Sequence, residues 1–205
     1  MIFTFHNTLE LLGIIAFGLS GALAAMHKRL DIFGVLVLTF VTAVGGGTVR
    51  DLIIGSLPVA WLLDSDTIIT LLVAFVFALF FNKYIRRYSN IMFWLDTVGL
   101  AFFCIIAISK GVSFHLHPMV CIALGTITGC FGGVIRDVLL NEIPYVFRKD
   151  VYASACIAGG TTYFIGISLI DDQNLVSLIS GGVIILIRMG AKYLHWQIPD
   201  VYKSK

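Results

Sequence analysis

Charge is what this chain most lacks. Asp, Glu, Lys and Arg together make up 13% of its 205 residues, while 59% are hydrophobic, and the mean hydropathy is +0.97. Soluble domains carry ~25% charged and ~45–50% apolar residues, so a soluble globular domain and a disordered tail are both excluded. The 14 basic and 12 acidic residues leave a net charge of +2, with none of the clustering that a nucleic-acid-binding face needs. Cys104, Cys121, Cys130 and Cys156 form no CxxC pair and no metal-ligand spacing. A disulfide framework and a zinc site are therefore not expected, and the thiols read as small buried hydrophobes. The five histidines lie near the ends of apolar runs without metal spacing. No GxxxxGK[ST], HExxH or GxSxG segment occurs, so neither ATP-driven transport nor intramembrane hydrolysis has candidate residues. The expectation is a protein that is not an enzyme and holds no cofactor. A TVGYG-type filter is missing too, so any ion selectivity must come from another design.

What is present is a series of apolar runs: 9–26, 32–55, 60–81, 91–109, 118–141, 151–170 and 175–194. A membrane-spanning helix needs ~20 residues, so the chain reads as an all-α integral membrane protein, one transmembrane domain over 1–205 with seven spans. Ala22-Leu23-Ala24 resembles a signal-cleavage site, but residues 1–8 contain no Lys or Arg, so the first run reads as a span. Basic residues follow spans 1, 3, 5 and 7: Lys28 and Arg29; Lys83, Arg86 and Arg87; Arg148 and Lys149; Lys192, Lys203 and Lys205. The intervening loops hold Asp64 and Asp66, then Lys110, then Asp171 and Asp172. The positive-inside rule then places the N-terminus outside and the C-terminus in the cytoplasm of a cell (inner) membrane. Tyr84 and Tyr88 beside the basic loop read as interfacial anchors to membrane lipids. Arg188, within span 7, is expected to snorkel to the inner surface.

Residues 42–58 and 128–144 repeat one pattern at a constant shift of 86. The shift superposes Thr42 on Thr128, Gly46 on Gly132, Gly47 on Gly133, Arg50 on Arg136, Asp51 on Asp137, Pro58 on Pro144 and Asp64 on Asp150. The unit is three spans, about 9–82 and 91–170, with span 7 (about 175–194) left over. Three is odd, so the second unit enters from the opposite face and the pair is an inverted repeat. Transporter-like folds place their binding or conduction sites at such an interface.

Gly45-Gly46-Gly47 lies ~20 Å into span 2, past the middle of a ~30 Å hydrocarbon core, and Gly132-Gly133 lies equally deep in span 5 from the other face. The two clusters are expected to meet near the midplane on antiparallel helices. Adjacent glycines permit kinks, whose freed backbone groups would face protein or a water path. Each cluster precedes an ionisable pair, Arg50-Asp51 and Arg136-Asp137. Charges inside spans cost ~2.5–3.5 kcal/mol each on insertion scales and mark pathways. Neighbours i and i+1 point ~100° apart on a helix, so each Arg is not expected to neutralise its own Asp. Asp96 is the expected partner of Arg136, and Glu10 that of Arg50. Direct pairing of Arg50 with Asp137 is not expected. Ser20, Gly21, Ala22, Gly159 and Gly160 read as packing faces.

The two Gly-Arg-Asp-Pro segments, with Ser20-Gly21-Ala22 and Asp96-Thr97-Val98-Gly99-Leu100, resemble the trimeric intracellular cation (TRIC) channel family, and its prokaryotic members most closely. That resemblance implies a homotrimer with one pore per protomer, conducting monovalent cations, chiefly potassium and otherwise sodium. Gly45, Gly46, Gly47, Gly132 and Gly133 would form the kinks. Arg50, Asp51, Arg136, Asp137 and Asp96 would supply the pore charge or gate. The resemblance departs at Phe131, where the second motif has two glycines in place of three. The competing reading is a secondary carrier of a small amino acid such as glycine, since inverted repeats suit alternating access equally well.

Overall fold

The computed structural model describes residues 5–85, 90–148 and 151–196, with the side chains of 81–85 set aside. The expected interfacial residues Lys83, Tyr84, Arg86, Arg87 and Tyr88 lie outside the described residues or side chains, as do Lys149, Asp150, Lys203 and Lys205. Among the described residues eight α-helices run in order: α1 (Phe5–His27), α2 (Ile32–Ile53), the short α3 (Ala60–Leu63), α4 (Ser65–Ile85), α5 (Ile91–Ser113), α6 (Pro118–Leu139), α7 (Ala153–Leu169) and α8 (Gln173–Tyr193). A 3-10 turn covers Tyr145–Phe147, and the described residues contain no strand. Helices α1, α2, α5, α6 and α8 are long and apolar enough to cross a membrane, and the described parts of α4 and α7 are shorter apolar helices.

The third apolar run, 60–81, is divided. Asp64 is extended and breaks it, and its carboxylate accepts the backbone N–H groups of Asp66 and Thr67 and the Thr67 hydroxyl. A carboxylate spent on orphan donors ends one helix and starts the next. Other starts obey the same rule. Asp31 accepts from Gly34 N at 2.7 Å ahead of α2, and Asp172 accepts from Asn174 N and Leu175 N ahead of α8. His117 caps α6, with Pro118 at the first position, where its missing N–H costs nothing.

The 86-residue shift reaches far beyond the motif. It carries both ends of α1 onto those of α5, and both ends of α2 onto those of α6. The turns match as well. Arg29 and His115 take left-handed backbone at equivalent places, and so do Gly55 and Asn141. Ser56 N–Asp51 O and Glu142 N–Asp137 O are equivalent turn bonds, both 2.8 Å.

Helices α1, α2, α5 and α6 form the centre, and α4 and α7 pack outside it. Two glycines bring α2 and α6 together. A Cβ on Gly46 would collide with the Thr128 carbonyl, and one on Gly132 would lie 2.5 Å from the Thr42 carbonyl. Each contact maps onto the other when the repeats are exchanged, as a two-fold axis through the crossing demands. Their order, Thr42 with Gly132 and Gly46 with Thr128, runs oppositely along the two helices, so these are antiparallel. Both helices are continuous through their glycine clusters, and the glycines of the crossing serve close approach.

Candidate functional site: two buried charge clusters

Arg50 and Arg136 lie in the last turns of α2 and α6, and both are buried. Arg136 Nη1 bonds Asp96 Oδ1 at 2.9 Å and donates to Ser20 Oγ at 2.6 Å. Arg50 Nη2 lies 3.8 Å from Glu10 Oε1. Both expected partners are therefore in place, and they are equivalent to each other: the shift of 86 carries Glu10 onto Asp96.

One expectation is corrected. Each arginine does engage its own neighbour: Arg50 Nε donates to Asp51 Oδ1, and Arg136 Nε to Asp137 Oδ1, both at 2.8 Å. The ~100° between successive residues separates their Cα–Cβ directions only. A long arginine stem curls sideways, and Nε presents itself to the adjacent carboxylate while the terminal nitrogens reach outward. The second oxygen of each aspartate accepts a loop N–H, from Ala60 at 2.9 Å and from Tyr145 at 3.3 Å. Each Asp thus ties the end of its helix to the segment that follows. Arg50 Nη1 and Arg136 Nη2 have no hydrogen-bond partner among the described residues.

Arg188 is the second correction. It does not snorkel. Nη2 lies 3.3 Å from Asp96 Oδ2 and Nε 3.3 Å from Thr97 Oγ1, with the guanidinium 4.4 Å from the Tyr152 ring centroid and 4.8 Å from that of Phe93. Snorkelling serves a charge that has no partner within the protein. Here a carboxylate, a hydroxyl and two aromatic faces hold the charge inside.

The two clusters balance alike but differ in access. Glu10, Arg50 and Asp51 are joined by Lys110, whose Nζ donates to Asp51 Oδ1 at 2.8 Å. Asp96, Arg136 and Asp137 are joined by Arg188. Each cluster holds two cations and two acids. In the first, the Glu10 and Lys110 side chains are 33% and 24% exposed. In the second, Asp96 and Arg188 are 2% and 4% exposed. A cavity of about 220 Å³ opens beside Glu10, Asp64, Asp66 and Thr67. A smaller one of about 20 Å³, bordered by Glu10, Gly47, Arg50, Asp51 and Trp61, has room for about one water.

Between the clusters, Phe17 and Phe103 stack with ring centroids 5.4 Å apart and 9° between planes. They too are equivalent under the shift. Each lies against the other repeat's glycine, Phe17 against Gly99 and Phe103 against Gly13, and those glycines are themselves equivalent. Phe131, the departure from the motif, is 37% exposed on the outside of α6.

The arginines, aspartates, glycines, Glu10 and Asp96 were all legible beforehand. Ser20, Lys110, Tyr152 and Arg188 were not read as members of the clusters. The shift gives no signal for Ser20, Lys110 or Tyr152, since it pairs them with Ile106, Ala24 and Asp66. For Arg188 there is no counterpart at all, because α8 lies outside both repeats.

The glycine-transporter family model matches residues 7–83 and 93–168, one stretch per repeat. The UPF0126 inner membrane protein YadS of Escherichia coli (strain K12) is 38% identical, covering 93% of each chain. A UPF0126 membrane protein of Vibrio cholerae serotype O1 is 36% identical over 96% of this chain and 83% of that one. Among solved structures, one described for conductance through TRIC cation channels superposes with a TM-score of 0.87 at 30% identity over the full length of both chains. The TRIC channel orthologue from Rhodobacter sphaeroides gives 0.88 at 30% identity, over 93% of this chain and 98% of that one. A prokaryotic TRIC channel in 0.5 M KCl gives 0.86 at 32% identity, over 93% and 97%.

Proposed function

Since the chain belongs to the prokaryotic branch of the trimeric intracellular cation channel family, a multi-pass inner-membrane protein, we propose that it is a channel for monovalent cations, chiefly potassium. The observation that carries this reading is the pair of equivalent buried charge clusters flanking one two-fold crossing. Close packing explains Gly46 and Gly132. It does not explain why four cations and four acids are held inside an apolar bundle, where each is costly.

In this reading the functional unit is a homotrimer with one pore in each protomer, seven spans, the N-terminus outside and the C-terminus cytoplasmic. The route enters beside Glu10 and its acidic cavity, passes Arg50 and the α2–α6 crossing, and leaves past Arg136 and Asp96. The acidic rim concentrates cations at the mouth. Arginines in a cation route are tolerable because each is neutralised by an adjacent carboxylate, and because a paired arginine that moves can gate. Gly47 leaves the backbone beside Arg50 free of a side chain and gives that guanidinium room to move, whereas the matching space at Gly133 is filled by the Tyr152 hydroxyl and Asp96. Potassium or sodium are the permeant ions, and no cofactor is required.

The test is single-channel recording from purified protein in a planar bilayer with asymmetric potassium chloride. Discrete current steps reversing near the potassium potential are expected. A silent bilayer, together with saturable uptake of labelled glycine by liposomes of the same preparation, would overturn the channel reading in favour of a carrier.

A further inference from the structure

The two clusters differ in one respect that their common ancestry does not dictate: where the extra cation sits. In the first, Lys110 binds Asp51, and Glu10 is left partly exposed with only a loose 3.8 Å contact to Arg50. In the second, the extra cation sits on Asp96, the residue equivalent to Glu10. Asp96 Oδ1 is taken by Arg136 and Oδ2 by Arg188. Both oxygens of that carboxylate are occupied, and the group is buried.

A permeating cation needs acceptor oxygens to replace its hydration shell. Glu10 lines an open cavity and can offer them. Asp96 cannot while Arg188 is seated. We infer that Arg188 is a latch: it closes the second-repeat end of the pathway by occupying the carboxylate that would receive the ion, and opening requires the α8 side chain to leave Asp96. This inference rests on the channel reading above.

The seat of Arg188 suits a latch. Its two hydrogen bonds are long, 3.3 Å each, so little directional bonding holds it. The aromatic faces of Phe93 and Tyr152, at 4.8 and 4.4 Å, share the hold with Asp96, and a cation leaves and regains such faces without breaking a fixed geometry. Lys192, one helical turn further along α8, covers the outer part of Phe93 at 3.9 Å and donates to Asn90. One face of α8 thus carries two cations along the start of α5. The latch belongs to the one long helix outside the repeats, so the closure is one-sided.

The experiment compares wild type, Arg188→Gln and Arg188→Lys by single-channel recording, with thermal melting in detergent to show that each variant is folded. R188Q keeps a polar side chain, though a shorter one, and removes the charge that Asp96 holds. Its open probability is expected to rise about tenfold, inside the ~5–150-fold range of typical coupling between two states. R188K keeps the charge but lacks the planar fork and is expected to fall between. A residue serving stability alone would lower the melting temperature without raising open probability. A folded R188Q or R188K that gates like wild type would overturn the latch and leave the channel reading intact. If R188Q does not fold, R188K alone decides, and open probability no higher than wild type overturns the inference. A silent wild type with an active R188Q supports both readings. Silence in all three overturns the channel reading, and the latch with it.

Discussion

Phe17 and Phe103 are the same residue twice. They occupy equivalent positions in the two repeats and stack on each other across the axis that relates them, 5.4 Å between ring centroids. Truncating either removes half of one shared contact. Phe17→Ala and Phe103→Ala should each cost ~3–5 kcal/mol, the usual range for a buried phenylalanine. The double variant should cost clearly less than the sum, because the second truncation has no stack left to lose. Denaturation in detergent measures this. Strict additivity would show that the two rings stabilise the fold independently.

The glycines of the crossing should separate by position. A Cβ at Gly46 meets the Thr128 carbonyl, whereas one at Gly47 finds only Arg50 Nη2, 3.8 Å away. Gly46→Ala is expected to destabilise by ~1–3 kcal/mol or more, since backbone cannot yield as a side chain can. Gly47→Ala should fold as well as wild type and gain up to ~1 kcal/mol of helix propensity. Its conductance should nevertheless fall, because the added methyl takes space beside the arginine. Melting curves and single-channel currents on the two variants check both halves.

Removing the arginines should hurt unequally. Arg136 holds Ser20, Asp96 and Asp137, all buried. Arg50 holds Asp51, which keeps Lys110, and approaches a partly exposed Glu10. Breaking a buried pair costs ~3–5 kcal/mol when one charge is stranded. Arg136→Ala should reach that range, and Arg50→Ala should fall well below it. Where R136A folds, its open probability should rise, since the route loses a fixed positive charge at the end that Arg188 closes. Unchanged gating in a folded R136A would remove Arg136 from the gate.

One link is open to pH. Glu142, in the turn after α6, pairs with Lys28 in the turn after α1, joining the two repeats at the surface. The Lys28 ammonium holds the Glu142 carboxyl below its usual value of 4.5. A depressed carboxylate stabilises the fold above its unfolded value, and that stabilisation is lost as pH falls through the lower folded value. The difference in melting temperature between wild type and Glu142→Gln should therefore be constant above about pH 6 and shrink to nothing in acid. Both groups are well exposed, so the difference should be small and should fall with salt. A difference that grows as pH falls would contradict the assignment.

Much of this was legible because duplication writes a signal twice. One Gly-Gly or one Arg-Asp is ambiguous, but two at a fixed shift locate an axis, and the axis brings the glycine clusters together. Asp96 and Glu10 followed from a physical demand, that buried arginines need acids at matching depth. What stayed hidden had a different origin. Asp64 splits a run that hydropathy reads as continuous, because its side chain outcompetes the helix for two backbone donors. The sideways bond of each arginine to its neighbour depends on stem conformation, which angular spacing alone does not describe. Arg188 reads as a snorkelling charge because it sits on a helix outside the repeats, 91 and 92 residues from its partners in sequence.

The position of α8 bears on what kind of transport is open to this fold. Exchanging the two repeats would interconvert inward-facing and outward-facing forms, and a perfectly duplicated molecule would hold them at equal energy. Helix α8 packs against α5 and α7, both in the second repeat, and pins Asp96 there. That attachment lifts the degeneracy. On the latch reading, a molecule biased in this way does not rock evenly between two mirror states; it rests in one and is released from it at one end.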